Sequence, residues 1–395
     1  MPGSKIPRTV WMLGLVSLCM DMSSEIIHAL LPLFLTVQLG MSVAMVGLID
    51  GVAEATASIT KLFSGYVSDR FGKRKPLILI GYGLAALSKP VFALAGSAPL
   101  ILGARFADRI GKGLRGAPRD ALITDVTPPA IRGRAFGLRQ SLDTVGAFVG
   151  PLAATGLMII LLGDIRMVFW IAVIPALFAV ALIIFGVRDV ERPPSAPDNR
   201  PPLRFGDLRA MPRAYWGVVV IGAVLTLARF SEAFLILKAN AEGLPLTFAP
   251  MVLVVMNLVY AGGAYPAGHL ADRMAAKQLL GLGIACLIAA DLVLAITSGL
   301  VGATIGIMLW GAHMALTQGL LAKLVADHAP PTLRGSAFGA FHLVTGVALL
   351  LASVIAGLLW DGFGSDMTFF AGAGFAVVAL MLVSRYPKVL AADRA

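Results

Sequence analysis

The sequence predicts an all-α protein that crosses a membrane twelve times as two pseudo-symmetric six-helix bundles, and three observations predict it. Hydrophobic residues make up 58% of the 395 and charged residues 14%, where soluble domains carry roughly 25% charged. The apolar runs are about 20 to 28 residues long, the length of a spanning helix, rather than ten-residue alternating strands of a barrel. The two halves of the chain also repeat one another. Together these exclude a soluble, disordered or single-anchor protein.

Taken between punctuating Gly, Pro and charge, the spans run in order over 10–37, 43–66, 76–95, 99–124, 133–162, 166–186, 214–239, 246–267, 278–298, 300–325, 335–360 and 367–385. The first follows the short basic segment Met1–Arg8; it is too long for a signal-peptide core and lacks a small-residue cleavage site, so it is expected to stay in the mature protein. The double prolines 128–129 and 330–331 precede the fifth and eleventh. Between the sixth and seventh lies the longest loop, 188–213, with six prolines, which reads as a semi-extended linker carrying a short amphipathic helix near Leu203–Met211. The domains expected are therefore 1–187, the linker 188–213, and 214–395.

Lys and Arg fix the orientation. Twenty of them fall in the termini and in loops on the same side, the 188–213 linker included, and the opposite loops offer Arg166. Both termini are then cytoplasmic in a bacterial-type inner membrane. The net charge of +10 is largely this asymmetry; the basic residues are dispersed over short loops without stacking aromatics, which argues against nucleic acid as a partner. Cys19 and Cys286 both sit in apolar runs, so neither a disulfide framework nor a cysteine metal cluster is expected.

The repeat is explicit in the residues. Gly65 and Asp69 recur as Gly268 and Asp272, both 203 positions on, and R-G-R-A-F-G at 132–137 recurs as R-G-S-A-F-G at 334–339, 202 positions on. Ser24-Glu25 echoes Ser231-Glu232 at an offset of 207. Tandem bundles of like orientation place a binding site between the halves near the bilayer midplane and permit alternating access.

With these signatures the chain resembles the major facilitator superfamily over essentially its whole length. G-Y-V-S-D-R-F-G-K-R-K at 65–75 is similar to that family's loop motif between helices 2 and 3, with Val67 where Leu is usual. The resemblance implies a cytoplasmic charge latch made by Gly65, Asp69, Arg70, Gly72, Lys73 and Arg74, with Arg132, Asp272 and Arg334 in the corresponding loops. R-I-G-K-G at 109–113 resembles the helix 4 motif of the drug/proton antiporter branch, with Lys112 for the usual Gln, and G-A-F-V-G-P-L-A-A at 146–154 its helix 5 motif, with Ala153 and Ala154 for Gly-Gly. That branch implies an exporter that closes through Gly146, Gly150 and Pro151.

Charges inside the spans mark the functional candidates. On a helical wheel Arg105, Asp108, Arg109, Lys112, Arg115, Arg119 and Asp120 share an arc of about 140°, which cannot face lipid. It either lines a hydrated cavity, with Arg105, Arg109 and Lys112 meeting an anionic substrate group, or forms a charge network that holds helices and controls gating. Glu25, Arg229 and Glu232 complete the expected substrate contacts. Asp21, Glu25 and His28 share one face of the first span; a desolvated carboxylate there favours protonation, so Asp21, Glu25, Glu54 and Asp143 are the proton-coupling candidates. No metal is expected, although Asp21, Glu25 and His28 have metal-compatible spacing. No cofactor is implied: a phosphate-binding G-x-x-x-x-G-K is absent, as are the hydrolase and protease motifs, so ion gradients are the energy source and the protein is no enzyme. The expected function is proton-coupled efflux of a small organic anion or zwitterion by a monomer in the lipid bilayer. Proton-coupled uptake, divalent-metal export and a non-transporting receptor stand as alternatives.

Overall fold

The computed structural model describes residues 6–71, 74–189, 208–209, 211–330 and 333–385. Its long helices are α1 Arg8–His28, α2 Val43–Phe71, α3 Lys75–Leu94, α4 Ala98–Val126, α5 Arg132–Ile160, α6 Ile165–Gly186, α7 Arg213–Ala228, α8 Ala233–Ala241, α9 Met251–Arg273, α10 Ala276–Ile296, α11 Gly299–His328, α12 Arg334–Phe363 and α13 Ser365–Arg385. No strand occurs among the described residues. Eleven stretches are long and apolar enough to cross a membrane. The remaining expected span, α4, is too polar to be counted with them, although its 29 residues would reach about 44 Å at 1.5 Å each, longer than the hydrocarbon core. The linker and most of the expected helix at 203–211 lie outside the described residues.

Two expected spans are broken, and they occupy matching places in the repeat. The first leaves helix at Ala29–Leu30, resumes over Leu31–Leu33 and passes into a π-helical turn at Phe34–Gln38; Pro32 lacks the N–H that an unbroken helix would need there. The seventh breaks between Ala228 and Ala233 without a proline. Arg229 turns out of the helical region at φ −109°, ψ 80°, and the Ser231 hydroxyl accepts from the Ala233 N–H at 3.2 Å, so α8 restarts on its own cap. The hairpin bends also correspond. Gly163, between α5 and α6, has φ 87°, and Gly364, between α12 and α13, has φ 91°, a left-handed backbone that glycine adopts without steric penalty.

The chain divides into two compact units, Met1–Phe34 with Thr56–Pro202, and Leu35–Ala55 with Leu203–Ala395. This follows chain order except that the first part of α2 belongs to the second unit. Within the first unit α1 packs on α5 and α6, and α3 on α4 and α6; within the second, α7 packs on α12 and α13, and α10 on α11 and α13. The same pairing recurs, as repeat-related bundles require. The first unit buries an apolar cluster that includes Leu13, Met20, Ile78, Leu122 and Ile183, while α6 turns Trp170, Ile174, Phe178 and Phe185 outward. An apolar outer surface is what hydrocarbon tolerates.

Candidate functional site

The first unit gathers the charged residues of α1, α4 and α5 on one side of its apolar cluster. Glycines let these helices approach: a Cβ at Gly146 would strike the backbone carbonyl of Leu18, and one at Gly150 the Glu25 side chain and the Met22 carbonyl. Gly146, Gly150 and Pro151 of α5 are all buried, and the two glycines set the α1–α5 spacing inside this unit. The face of α1 bearing Asp21 and Glu25 is thereby presented to α4 and α5.

Glu25 Oε2 lies 3.3 Å from Nδ1 of His28, one turn on, and Lys112 and Arg109 are its nearest cations. Asp21 Oδ1 is 3.7 Å from Arg115, and the Asp143 carboxyl of α5 lies beside it. Asp143 is also held by Arg139 at 3.3 Å and Arg119 at 3.8 Å. Arg119 further donates to Ser17 at 2.8 Å and Tyr82 at 3.3 Å, and the Arg115 guanidinium stacks on the Tyr82 ring at 4.4 Å.

Along the α4 stripe Arg105, Asp108, Arg109, Arg115 and Arg119 are buried, while Lys112 is exposed. Asp108 accepts from Lys89 Nζ at 2.8 Å and lies 4.0 Å from Arg109 Nε. Asp21, Glu25 and His28 do not converge as a metal cage: Glu25 and His28 face each other, Asp21 turns to Arg115 and Asp143, and no cluster of three metal-type ligands forms among the described residues.

The second unit carries its own charged group at the break between α7 and α8. Arg229 lies within electrostatic reach of Glu232, Glu54 and Tyr260, Ser231 donates to Asp50 at 2.8 Å, and Tyr260 donates to Gln318 at 3.1 Å. The structure thus splits the sequence candidates into two groups. Asp21, Glu25, Arg105, Arg109, Lys112 and Asp143 lie in the first unit, and Glu54, Arg229 and Glu232 in the second.

Family comparison accounts for this architecture. The family model of the Major Facilitator Superfamily matches residues 13–348 and 237–394. The chain belongs to the major facilitator superfamily. An MFS-type transporter of Methanocaldococcus jannaschii is 30% identical over 388 residues, covering 96% of this chain and 95% of that one. The multidrug resistance protein MdtH of Proteus mirabilis is 34% identical over 134 residues, 34% of this chain and 32% of its own. Among solved structures, the nucleoside transporter NupG superposes with a TM-score of 0.79 at 14% identity, covering 95% of this chain and 99% of NupG. A bacterial homologue of the human lysosomal transporter Spinster gives 0.77 at 18% identity, with 98% of each chain covered. The protein is therefore a multi-pass membrane transporter of this superfamily and not an enzyme.

The superfamily loop motif falls largely outside the described residues: Gly72 and Lys73 do entirely, as do the side chains of Asp69 and Arg70 and the burial of Gly65, and the side chains of Asp272 and Arg334 in the related loops. Arg74 is described. It is buried, its Nε lies 3.6 Å from Asp125, and its backbone N–H donates to Asp189 at 3.3 Å. Arg132 donates to the Thr127 carbonyl at 3.3 Å. Sequence reasoning counts Lys89 among the cations inside the spans without giving it a partner, and does not single out Ser17, Ser24 or Tyr82 as members of the charged group. A lysine in the middle of the otherwise uncharged run 76–94 was the one available signal.

Proposed function

We propose that this transporter exports a small organic anion or zwitterion in exchange for protons. The observation that carries the substrate class is the balance of charges inside the spans of the first unit: Lys61, Lys89, Arg105, Arg109, Lys112, Arg115, Arg119 and Arg139 stand against Asp21, Glu25, Asp108, Asp120 and Asp143, eight to five. A bundle with surplus positive charge is stabilised by an incoming carboxylate or phosphate. The closeness of the Asp21 and Asp143 carboxyls supports proton coupling, since two neighbouring like charges favour holding a proton between them. Lys112 lies beside both carboxyls, so an anion that neutralises it alters the balance that holds that proton. Export is favoured by the likeness to the MdtH multidrug resistance proteins. Glu25, Arg109 and Lys112 are read as the substrate contacts of the first unit and Arg229 and Glu232 as those of the second. The moving halves are 1–187 and 214–395, both termini are cytoplasmic by the distribution of Lys and Arg, and the protein acts as a monomer. Asp69 acts as a latch, so Asp69→Asn slows turnover and leaves substrate affinity intact.

The test is a proton-flux assay in proteoliposomes challenged in turn with benzoate, phenylalanine, tetraphenylphosphonium and Mn²⁺. Flux with benzoate or phenylalanine, with a raised KM for that substrate in Glu25→Gln, is expected. Flux confined to the lipophilic cation or the metal would overturn the substrate class.

A further inference from the structure

Lys89 is 1% exposed, five residues before the end of α3, so its ammonium does not reach the surface as a lysine's normally does. Its ammonium donates to Asp108 Oδ1 at 2.8 Å and to Ser24 Oγ at 2.9 Å, and so ties α3 to α4 and to the last turn of α1. Apolar replacement of a buried ion pair is often neutral or stabilising, so stability alone does not account for a lysine here. Its two partners suggest what does. Ser24 immediately precedes Glu25, and Asp108 immediately precedes Arg109; both neighbours belong to the proposed substrate contacts. Three cations surround Asp108: Lys89 holds one oxygen at 2.8 Å, Arg109 stands 4.0 Å from the other, and Arg105 is also within electrostatic reach.

We propose that Lys89 is a positioning residue for the anion-binding face of the first unit, engaging Asp108 so that this carboxylate does not close onto Arg109, and fixing the turn of α1 that presents Glu25. Without the ammonium, Asp108 moves onto the guanidinium and competes with a substrate anion for it. The inference rests on the reading of this face as the anion site, and its test separates the two.

In one arm, Arg109 is modified by phenylglyoxal in the purified full-length protein and the labelled peptide is followed by mass spectrometry. Lys89→Met should slow modification of Arg109 severalfold, because a guanidinium clamped by Asp108 is less reactive. Lys89→Arg and the double variant Lys89→Met/Asp108→Asn should return it to the wild-type rate. A structural role alone loosens the bundle and speeds the reaction in Lys89→Met, which would overturn the proposal. In the other arm, proteoliposome flux with benzoate and with phenylalanine should show KM raised about tenfold in Lys89→Met with kcat little changed, the size of one strong charge-assisted contact, and Lys89→Arg should recover it. Wild-type flux with an unchanged KM in Lys89→Met also counts against Lys89. Absence of wild-type flux with either probe counts against the anion reading and leaves the phenylglyoxal result to decide the position of Asp108.

Discussion

Ser231 donates to Asp50 Oδ2 at 2.8 Å and accepts from the Ala233 N–H at 3.2 Å, so one hydroxyl starts α8 and joins it to the first part of α2. Both contacts are lost in Ser231→Ala. A capping bond and a bond to a carboxylate are each worth on the order of 1 kcal/mol, and the variant should unfold several degrees lower in detergent. Asp50→Asn keeps an oxygen acceptor and should lose less. Thermal unfolding of the three proteins side by side checks the order.

The crossing of α2 and α12 depends on glycine. A Cβ at Gly47 would collide with the backbone carbonyl of Ser353, and one at Gly357 would meet the Ala44 backbone. Gly47→Ala therefore forces a backbone shift and should destabilise by about 2 kcal/mol or more, as overpacking does. Gly83→Ala in α3 meets nothing within 4 Å and should be neutral or stabilising by up to about 1 kcal/mol. Equal melting temperatures for the two alanine variants would refute the close crossing.

The contrast between these glycines and the charged residues marks what a sequence can disclose. Helix positions follow from apolar run length and proline, which are local properties, and Pro32 made the break after α1 legible in principle. The break at Arg229–Glu232 was not, because no proline causes it: a side-chain cap from Ser231 and its bond to Asp50 do, and those partners are 181 positions apart. The wheel reading of α4 placed Arg105, Asp108 and Arg109 on one face, as a helix must. It could not say that Asp108 answers Lys89 of α3, since nothing local distinguishes that partner from Arg109. Glu54 was read with the N-terminal half because α2 is one unbroken helix; its neighbours lie in the second unit because the two ends of that helix pack differently.

Outside the spanning helices, Glu242 gives a pH-dependent contribution. Lys238 lies 2.7 Å from its Oε1, and the Gly299 N–H donates to its Oε2; the ammonium, then the amide, hold its carboxyl below the ordinary range. A carboxyl whose folded value is lowered stabilises the fold above its unfolded value and loses that contribution as pH falls through the folded one. The effect is a fraction of a kcal/mol, roughly 0.5, because Glu242 lies near the surface and solvent screens the pair. Glu242→Gln should melt slightly below wild type at pH 7, and the gap should close below about pH 4. A gap that widens on acidification would contradict the pairing.

The neighbouring carboxyls of Asp21 and Asp143, proposed as the pair that carries the coupling proton, make a prediction that a lone carboxyl would not. Asparagine at either position still offers a hydrogen bond to the remaining carboxyl but removes the pair that holds the proton. Asp21→Asn and Asp143→Asn should each lower substrate-driven proton flux by at least about tenfold, and the double variant should be little worse than either, as for residues acting as one unit. Glu25→Gln, whose carboxylate faces His28 at 3.3 Å instead, should act mainly on substrate KM. Fluorescence quenching of an entrapped pH dye, with substrate uptake counted in the same vesicles, separates flux from affinity. Additive losses at Asp21 and Asp143, or loss of flux in Glu25→Gln alone, would move the coupling proton off the pair and onto Glu25.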